Sequence, residues 1–165
     1  MQTVTVAIAD EDAGRRVRLE HALQGKQGVR VLTNVATSGS GVTRNRRRKS
    51  RFGMTPVDDM VARIRRLNPR ILLVNLNQCS DEDGEMLLSL GRECPETRVI
   101  LMADESAQRE EQIVLALAKG ARGYLDFEAD PILISKAVQV IDRGEAWVPR
   151  RMLDRLMDQV LHWQH

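Results

Sequence analysis

The sequence is poor in aromatic side chains: two Trp, one Tyr and two Phe make up 3% of its 165 residues. A surface that stacks successive nucleic-acid bases needs more rings than that, so such a surface is not expected. Cysteine is equally scarce. Cys79 and Cys94 are the only two, which excludes a disulfide framework and a thiolate metal cluster. No apolar run approaches the ~18 residues of a membrane-spanning helix, and no charged-then-apolar leader opens the chain. The expected setting is cytoplasmic, with no membrane partner. Net charge is only +2, so the chain as a whole does not announce a polyanionic partner.

The charge that is present is unevenly spread. Arg44, Arg46, Arg47, Arg48, Lys49 and Arg51 supply six of the 25 basic residues, leaving 19 basic against 23 acidic elsewhere. A basic arm is thus set into a mildly acidic body, within a stretch spanning about residues 37–55. Such a run contacts phosphate backbones or other polyanions electrostatically, without reading sequence. Its guanidinium groups also suit the phosphates of a cyclic dinucleotide. The plainer alternative is a solvated surface loop.

Hydrophobic patterning points to an α/β fold. Ile71, Leu72, Leu73 and Val74 form an unbroken apolar run between Pro69 and the polar Asn75. A strand buried on both faces of a parallel sheet reads this way, because a half-buried strand would alternate. Residues 4–9 are β-branched and apolar and then break into Asp10, Glu11 and Asp12. Further strands are expected at 29–36, 98–102 and 123–125. Helices are expected at 13–24 (with Val17, Leu19, Ala22 and Leu23 recurring), from Pro56 to the stop at Pro69, and at 85–92, 107–119 and 130–142. A loop falls at 80–84. Strand and helix alternate throughout, and a doubly wound, five-stranded parallel sheet covered on both faces is the natural closure. Residues 1–148 make one domain. The segment 149–165 is an additional C-terminal helix whose apolar seam is Leu153, Leu156, Met157, Val160 and Leu161. That seam suits a partner helix and the parent domain equally well.

In open parallel sheets, ligand chemistry sits beyond the carboxyl ends of the strands. Asp10 and Glu11 stand at the first of these ends, Asn75 at the central one and Ala103 at the fourth. Paired carboxylates beside a third oxygen donor are what Mg²⁺ needs. The alternative is that these acids cap the first helix and remain solvated.

Several stretches resemble the receiver domain of two-component response regulators, in the NarL-type branch. They are Val6-Ala7-Ile8-Ala9-Asp10-Glu11, Asn68-Pro69-Arg70-Ile71-Leu72-Leu73-Val74-Asn75-Leu76 and Ala116-Leu117-Ala118-Lys119-Gly120-Ala121-Arg122-Gly123-Tyr124-Leu125. The last is Ala137-Val138-Gln139-Val140-Ile141-Asp142-Arg143-Gly144-Glu145-Ala146-Trp147-Val148-Pro149. The resemblance covers about residues 3–149 apart from the basic arm. It implies a flavodoxin-like sheet of strand order 2-1-3-4-5.

It also implies roles for single positions. The residue matching Asn75 is an aspartate that accepts phosphate from a histidine kinase; Ala103 stands for a serine or threonine, and Phe127 for a lysine. An amide offers no carboxylate oxygen to attack phosphorus, an alanine methyl has no hydroxyl to donate, and a phenylalanine cannot balance phosphoryl charge. The resemblance therefore implies a pseudo-receiver, phosphorylation-independent and not an enzyme, that acts by protein contact or homodimerisation in transcriptional signalling. Asp10 and Glu11 match the acidic pair and Asn77 the position whose carbonyl completes a metal shell. With Asn75 neutral, Mg²⁺ binding through Asp10 and Glu11 is expected to be weak, and no cofactor is expected. Tyr124 matches the switch aromatic, read either as locked in one state or as a plain strand aromatic half covering the core. Asp104 and Asp126 are extra acids that face water or pair with Arg122 or Lys119. Segment 149–165 matches a linker toward a LuxR-type helix-turn-helix; no such sequence follows, so DNA is expected to be reached only through a domain absent from this chain. Two rival readings remain: a sensor that binds a small anion or nucleotide at the acidic pocket or the basic arm, and a phosphoacceptor using another acid. Asp81 and Asp83 read as solvated surface acids instead.

Overall fold

The computed structural model describes residues 3–26, 28–32, 56–79, 85–104 and 107–163. The basic arm, the expected end of the second strand at 33–36 and the loop at 80–84 lie outside the described residues.

Five strands form one all-parallel sheet in the order β2-β1-β3-β4-β5: β1 (Val4–Ala9), β2 (Val29–Leu32), β3 (Ile71–Asn75), β4 (Arg98–Ala103) and β5 (Gly123–Asp126). The helices are α1 (Ala13–Gln24), α2 (Pro56–Leu67), α3 (Leu76–Cys79), α4 (Glu85–Glu93), α5 (Ala107–Ala118), α6 (Pro131–Asp142) and α7 (Arg150–Trp163). The expected fold class and strand order hold. The unbroken apolar run of β3 is explained by two cores. Leu72 and Val74 face one, with α2, α4, α5 and α7, while Ile71 and Leu73 face the other, with α1 and α6. Successive strand side chains point to opposite faces, so a strand buried on both must be apolar at every position.

Local chemistry sets the element ends. Asp12 caps α1 by accepting from the Arg15 N–H at 3.0 Å, and Asp130 caps α6 with Pro131 at its start, both favoured arrangements. Asn68, at φ 47°, turns the chain out of α2 in the left-handed region just before Pro69. The short α3 was not anticipated. Asn75 Oδ1 accepts the N–H of Asn77 at 3.0 Å, an Asx-type turn that starts a helix where the strand stops. Val17 departs from the expected apolar face of α1 and is exposed, whereas Leu19, Ala22 and Leu23 are buried. It lies two residues from Leu19, about 200° around a helix of ~3.6 residues per turn.

The α7 seam is divided between the core and solvent. Its buried anchor is Met152, and Leu156 packs beside it against the core shared with α5. Leu153, Met157, Val160 and Leu161 remain exposed. Two ion pairs fasten the helix: Arg151 and Arg155 reach the Glu110 carboxylate at 3.1 and 2.7 Å. The chain arrives there along the outer edge of β5, where Tyr124 N–H donates to the Trp147 carbonyl and Trp147 N–H to that of Arg122. This closeness requires Gly123, since an added Cβ would stand 2.6 Å from Ile141 Cδ1 and 3.0 Å from the Trp147 oxygen.

Candidate functional site

Parallel register brings the strand ends level. Ala9 pairs with Val74, Asn75 with Met102 and Ala103 with Asp126. Asp10, Asn75, Ala103 and Phe127 therefore meet at one edge of the sheet. Asp10 is 1% exposed and Asn75 5% exposed, so both polar groups need partners inside the protein.

The principal partner is Arg15, a residue the sequence reading did not single out. Its Nε donates to Asp10 Oδ2 at 2.8 Å and its Nη2 to Oδ1 at 3.2 Å, a two-pronged pair. The Asp12 N–H adds a bond to Oδ1 at 2.9 Å, and Asn75 Nδ2 another at 3.3 Å. Burial pushes the Asp10 carboxyl up, but the bonds from Arg15, Asp12 and Asn75, with the Arg15 charge, outweigh it and hold the group below its ordinary value. The bond to Asp10 raises the Arg15 pKa, so the guanidinium stays charged.

Phe127 closes the other side. The Arg15 guanidinium carbon lies 4.4 Å from the centroid of its ring, a cation–π arrangement. The Phe127 N–H is held by the Ala103 carbonyl at 3.0 Å, and its own carbonyl accepts from Arg18. Arg16 donates to the Asp10 carbonyl at 2.6 Å. Three arginines from the start of α1 thus tie the β1–α1 and β5–α6 turns together. A signal for this was present in the sequence. A helix start favours carboxylates, and two adjacent arginines in the first turn of α1 need an acidic partner to offset the helix dipole.

Other expected positions are placed as follows. The Glu11 side chain is exposed. With the Gln78 amide oriented to satisfy both neighbours, it bridges the Ala9 carbonyl at 3.3 Å and the Glu11 N–H at 3.2 Å. Asn77 is exposed, and its Oδ1 accepts from Arg109 at 2.6 Å. Asp104 pairs with Arg109 at 3.6 Å, not with Arg122 or Lys119. Asp126 accepts the Glu128 N–H at 2.8 Å. The Tyr124 side chain is buried in the core that α5 and α7 share.

The divalent cation that the receiver resemblance implies does not fit this donor set. Both Asp10 oxygens are engaged by cationic or N–H donors, and the Asn75 oxygen is turned to the Asn77 N–H. Among the described residues, no group of three His, Cys, Asp or Glu side chains is placed to hold a metal ion. Among the described residues no helix is long and apolar enough to cross a membrane.

No family model matches the chain. The oxygen regulatory protein NreC of Staphylococcus haemolyticus is 21% identical over 161 residues, covering 97% of this chain. The chain spans 64% of the length of that relative. Among solved structures, a LuxR family DNA-binding response regulator from Silicibacter pomeroyi is 27% identical with a TM-score of 0.62, over 90% of this chain and 98% of that one. The isolated receiver domain of RcsB from Salmonella enterica serovar Typhimurium is 16% identical with a TM-score of 0.65, over 94% and 99%. The chain has the receiver fold, and its likeness runs along nearly its whole length to response regulators of the NarL/LuxR type.

Proposed function

We propose that this chain is a receiver module of a NarL/LuxR-type regulator that works without aspartyl phosphorylation and signals by protein contact. The observation that carries the proposal is Asn75. It occupies the carboxyl end of the central strand, is buried, and uses its amide to donate to Asp10 at 3.3 Å. A side chain in that role has no anionic oxygen to attack a phosphoryl donor. Ala103 and Phe127 add no hydroxyl and no cation at the neighbouring positions.

The output surface in this reading is α7. Leu153, Met157 and Leu161 recur every four residues on one side of the helix and are exposed by 42%, 57% and 52%. Contact with a second copy, or with an apolar helix of a partner protein, would cover them. The rival sensor reading gains nothing from the acidic pocket, which the Arg15 guanidinium fills, and the basic arm lies outside the described residues.

The test is mass, melting temperature and light scattering with Mg²⁺, with and without acetyl phosphate or beryllofluoride. No change in any of the three is expected. A Mg²⁺-dependent rise in mass with acetyl phosphate, or in melting temperature with beryllofluoride, would show that a carboxylate still accepts phosphoryl groups, and the proposal would fall.

A further inference from the structure

The misfit between the acidic edge and a divalent cation has a specific cause. A buried carboxylate in an apolar sheet needs a positive partner, because an isolated ion there is strongly penalised. In this chain that partner is covalently attached. Arg15 stands in the first turn of α1, close enough for Nε and Nη2 to reach both oxygens of Asp10 at 2.8 and 3.2 Å. The flat face of the same guanidinium lies on the Phe127 ring. A lysine at position 127 would repel it, whereas a phenyl ring attracts it and covers one face, the Arg15 side chain as a whole staying 32% exposed.

We propose that Arg15 is a tethered cation that takes the place of a divalent ion at this edge, with Phe127 as its apolar cover. Asn75 fits the same arrangement. A second carboxylate would call for a second positive charge, and the amide instead donates one more hydrogen bond to Asp10. Asn75, Phe127 and Arg15 are then one set: an amide and a guanidinium on one buried carboxylate, and a ring over the guanidinium. Arg15 neutralises Asp10 directly, and the Asp12 carboxylate lies 3.7 Å from the same guanidinium.

The experiment uses the full chain, titrated with MnCl2 or MgCl2 at matched ionic strength. Melting is followed by scanning fluorimetry, and Mn²⁺ proximity by paramagnetic broadening of backbone amides. For the wild type, no broadening is expected at the amides of residues 10–12 or 75–77, and melting should be indifferent to either ion. Arg15→Ala should melt lower by about 5–10 °C and gain Mn²⁺ broadening at those amides. Arg65→Ala, which removes an exposed partner of Glu93 elsewhere, controls for loss of one positive charge and should do neither. If Arg15→Ala does not fold, the pair Arg15→Ala/Asp10→Asn decides, since removing the stranded carboxylate should restore folding. Broadening in the wild type would overturn the proposal. So would an Arg15→Ala protein no less stable than the control, or a double variant no better than the single one. A wild type that binds Mn²⁺ yet ignores beryllofluoride would remove the tethered cation and leave the phosphorylation-independent role standing.

Discussion

The carboxyl edge of the sheet and the C-terminal helix handle their exposed chemistry in opposite ways. At the edge, polar groups are turned inward and matched to one another: Asp10 to Arg15, Asp12 and Asn75, and Arg15 to Phe127. On α7, Met152 and Leu156 seat one side of the helix on the core and Arg151 and Arg155 pair with Glu110, while Leu153, Met157 and Leu161 are left to solvent. A site built to bind an ion or a phosphoryl group keeps polar groups available. One built to bind a protein keeps apolar area available. At the edge the buried polar groups satisfy one another, and on α7 the apolar area stays open.

The comparison can be broken most severely through Met152, the side chain that seats α7. Met152→Ala should cost about 2–4 kcal/mol, seen in urea unfolding, and should raise amide exchange along α7 while leaving the edge protected. If exchange rises equally at both regions, they are not independent. At the edge, Asn75→Asp sets a second carboxylate in place of a donor to buried Asp10. A loss of about 2 kcal/mol at pH 7 is expected, shrinking as the solution is acidified and the pair takes up a proton. An unchanged melting temperature would show that the Asn75 amide contributes no stability.

Acidification of the wild type sharpens the same point. The Asp10 carboxyl in the folded protein lies below its ordinary value of 3.8. Its contribution to stability is therefore complete above that value and is lost as pH falls through the folded pKa. Unfolding free energy measured against pH should drop in that acid range, and the Asp10-linked part of the drop should vanish in Arg15→Ala/Asp10→Asn. Glu110→Gln should cost less than about 1 kcal/mol, because its arginine partners are half exposed and solvent screens them. The smallest effect on stability is expected from Leu153→Ser and Met157→Ser, within about 0.5 kcal/mol. If α7 is the output surface, these two should nonetheless lower the scattering mass of any self-associated species or weaken partner binding.

Much of the fold was legible in the chain before any coordinates. A continuous apolar run, such as 71–74, fits one common environment, a strand covered on both faces. Asp12, Asp130, Pro131 and Pro69 mark helix ends through local bonding rules that do not depend on the rest of the molecule. The site was legible in part. Asp10, Asn75 and Ala103 were found because each stands at a strand end, and strand ends in a parallel sheet come level; Phe127 was found only through the resemblance to receiver domains. Arg15 was overlooked because its role depends on Asp10 being buried, and burial is set by the sheet closing over it. The division of α7 into a buried side at Met152 and Leu156 and an open side at Leu153, Met157 and Leu161 was hidden for a like reason.

The sequence by itself determined the alternation of elements, the parallel sheet, the neutral amide at position 75 and the amphipathic C-terminal helix, because propensity, periodicity and side-chain chemistry are local properties. Only the tertiary structure decided which charge neutralises Asp10 and which apolar side chains of α7 stay uncovered. Both depend on groups far apart in the chain, Arg15 with Phe127 and Met152 with α5, and folding alone brings them within contact distance.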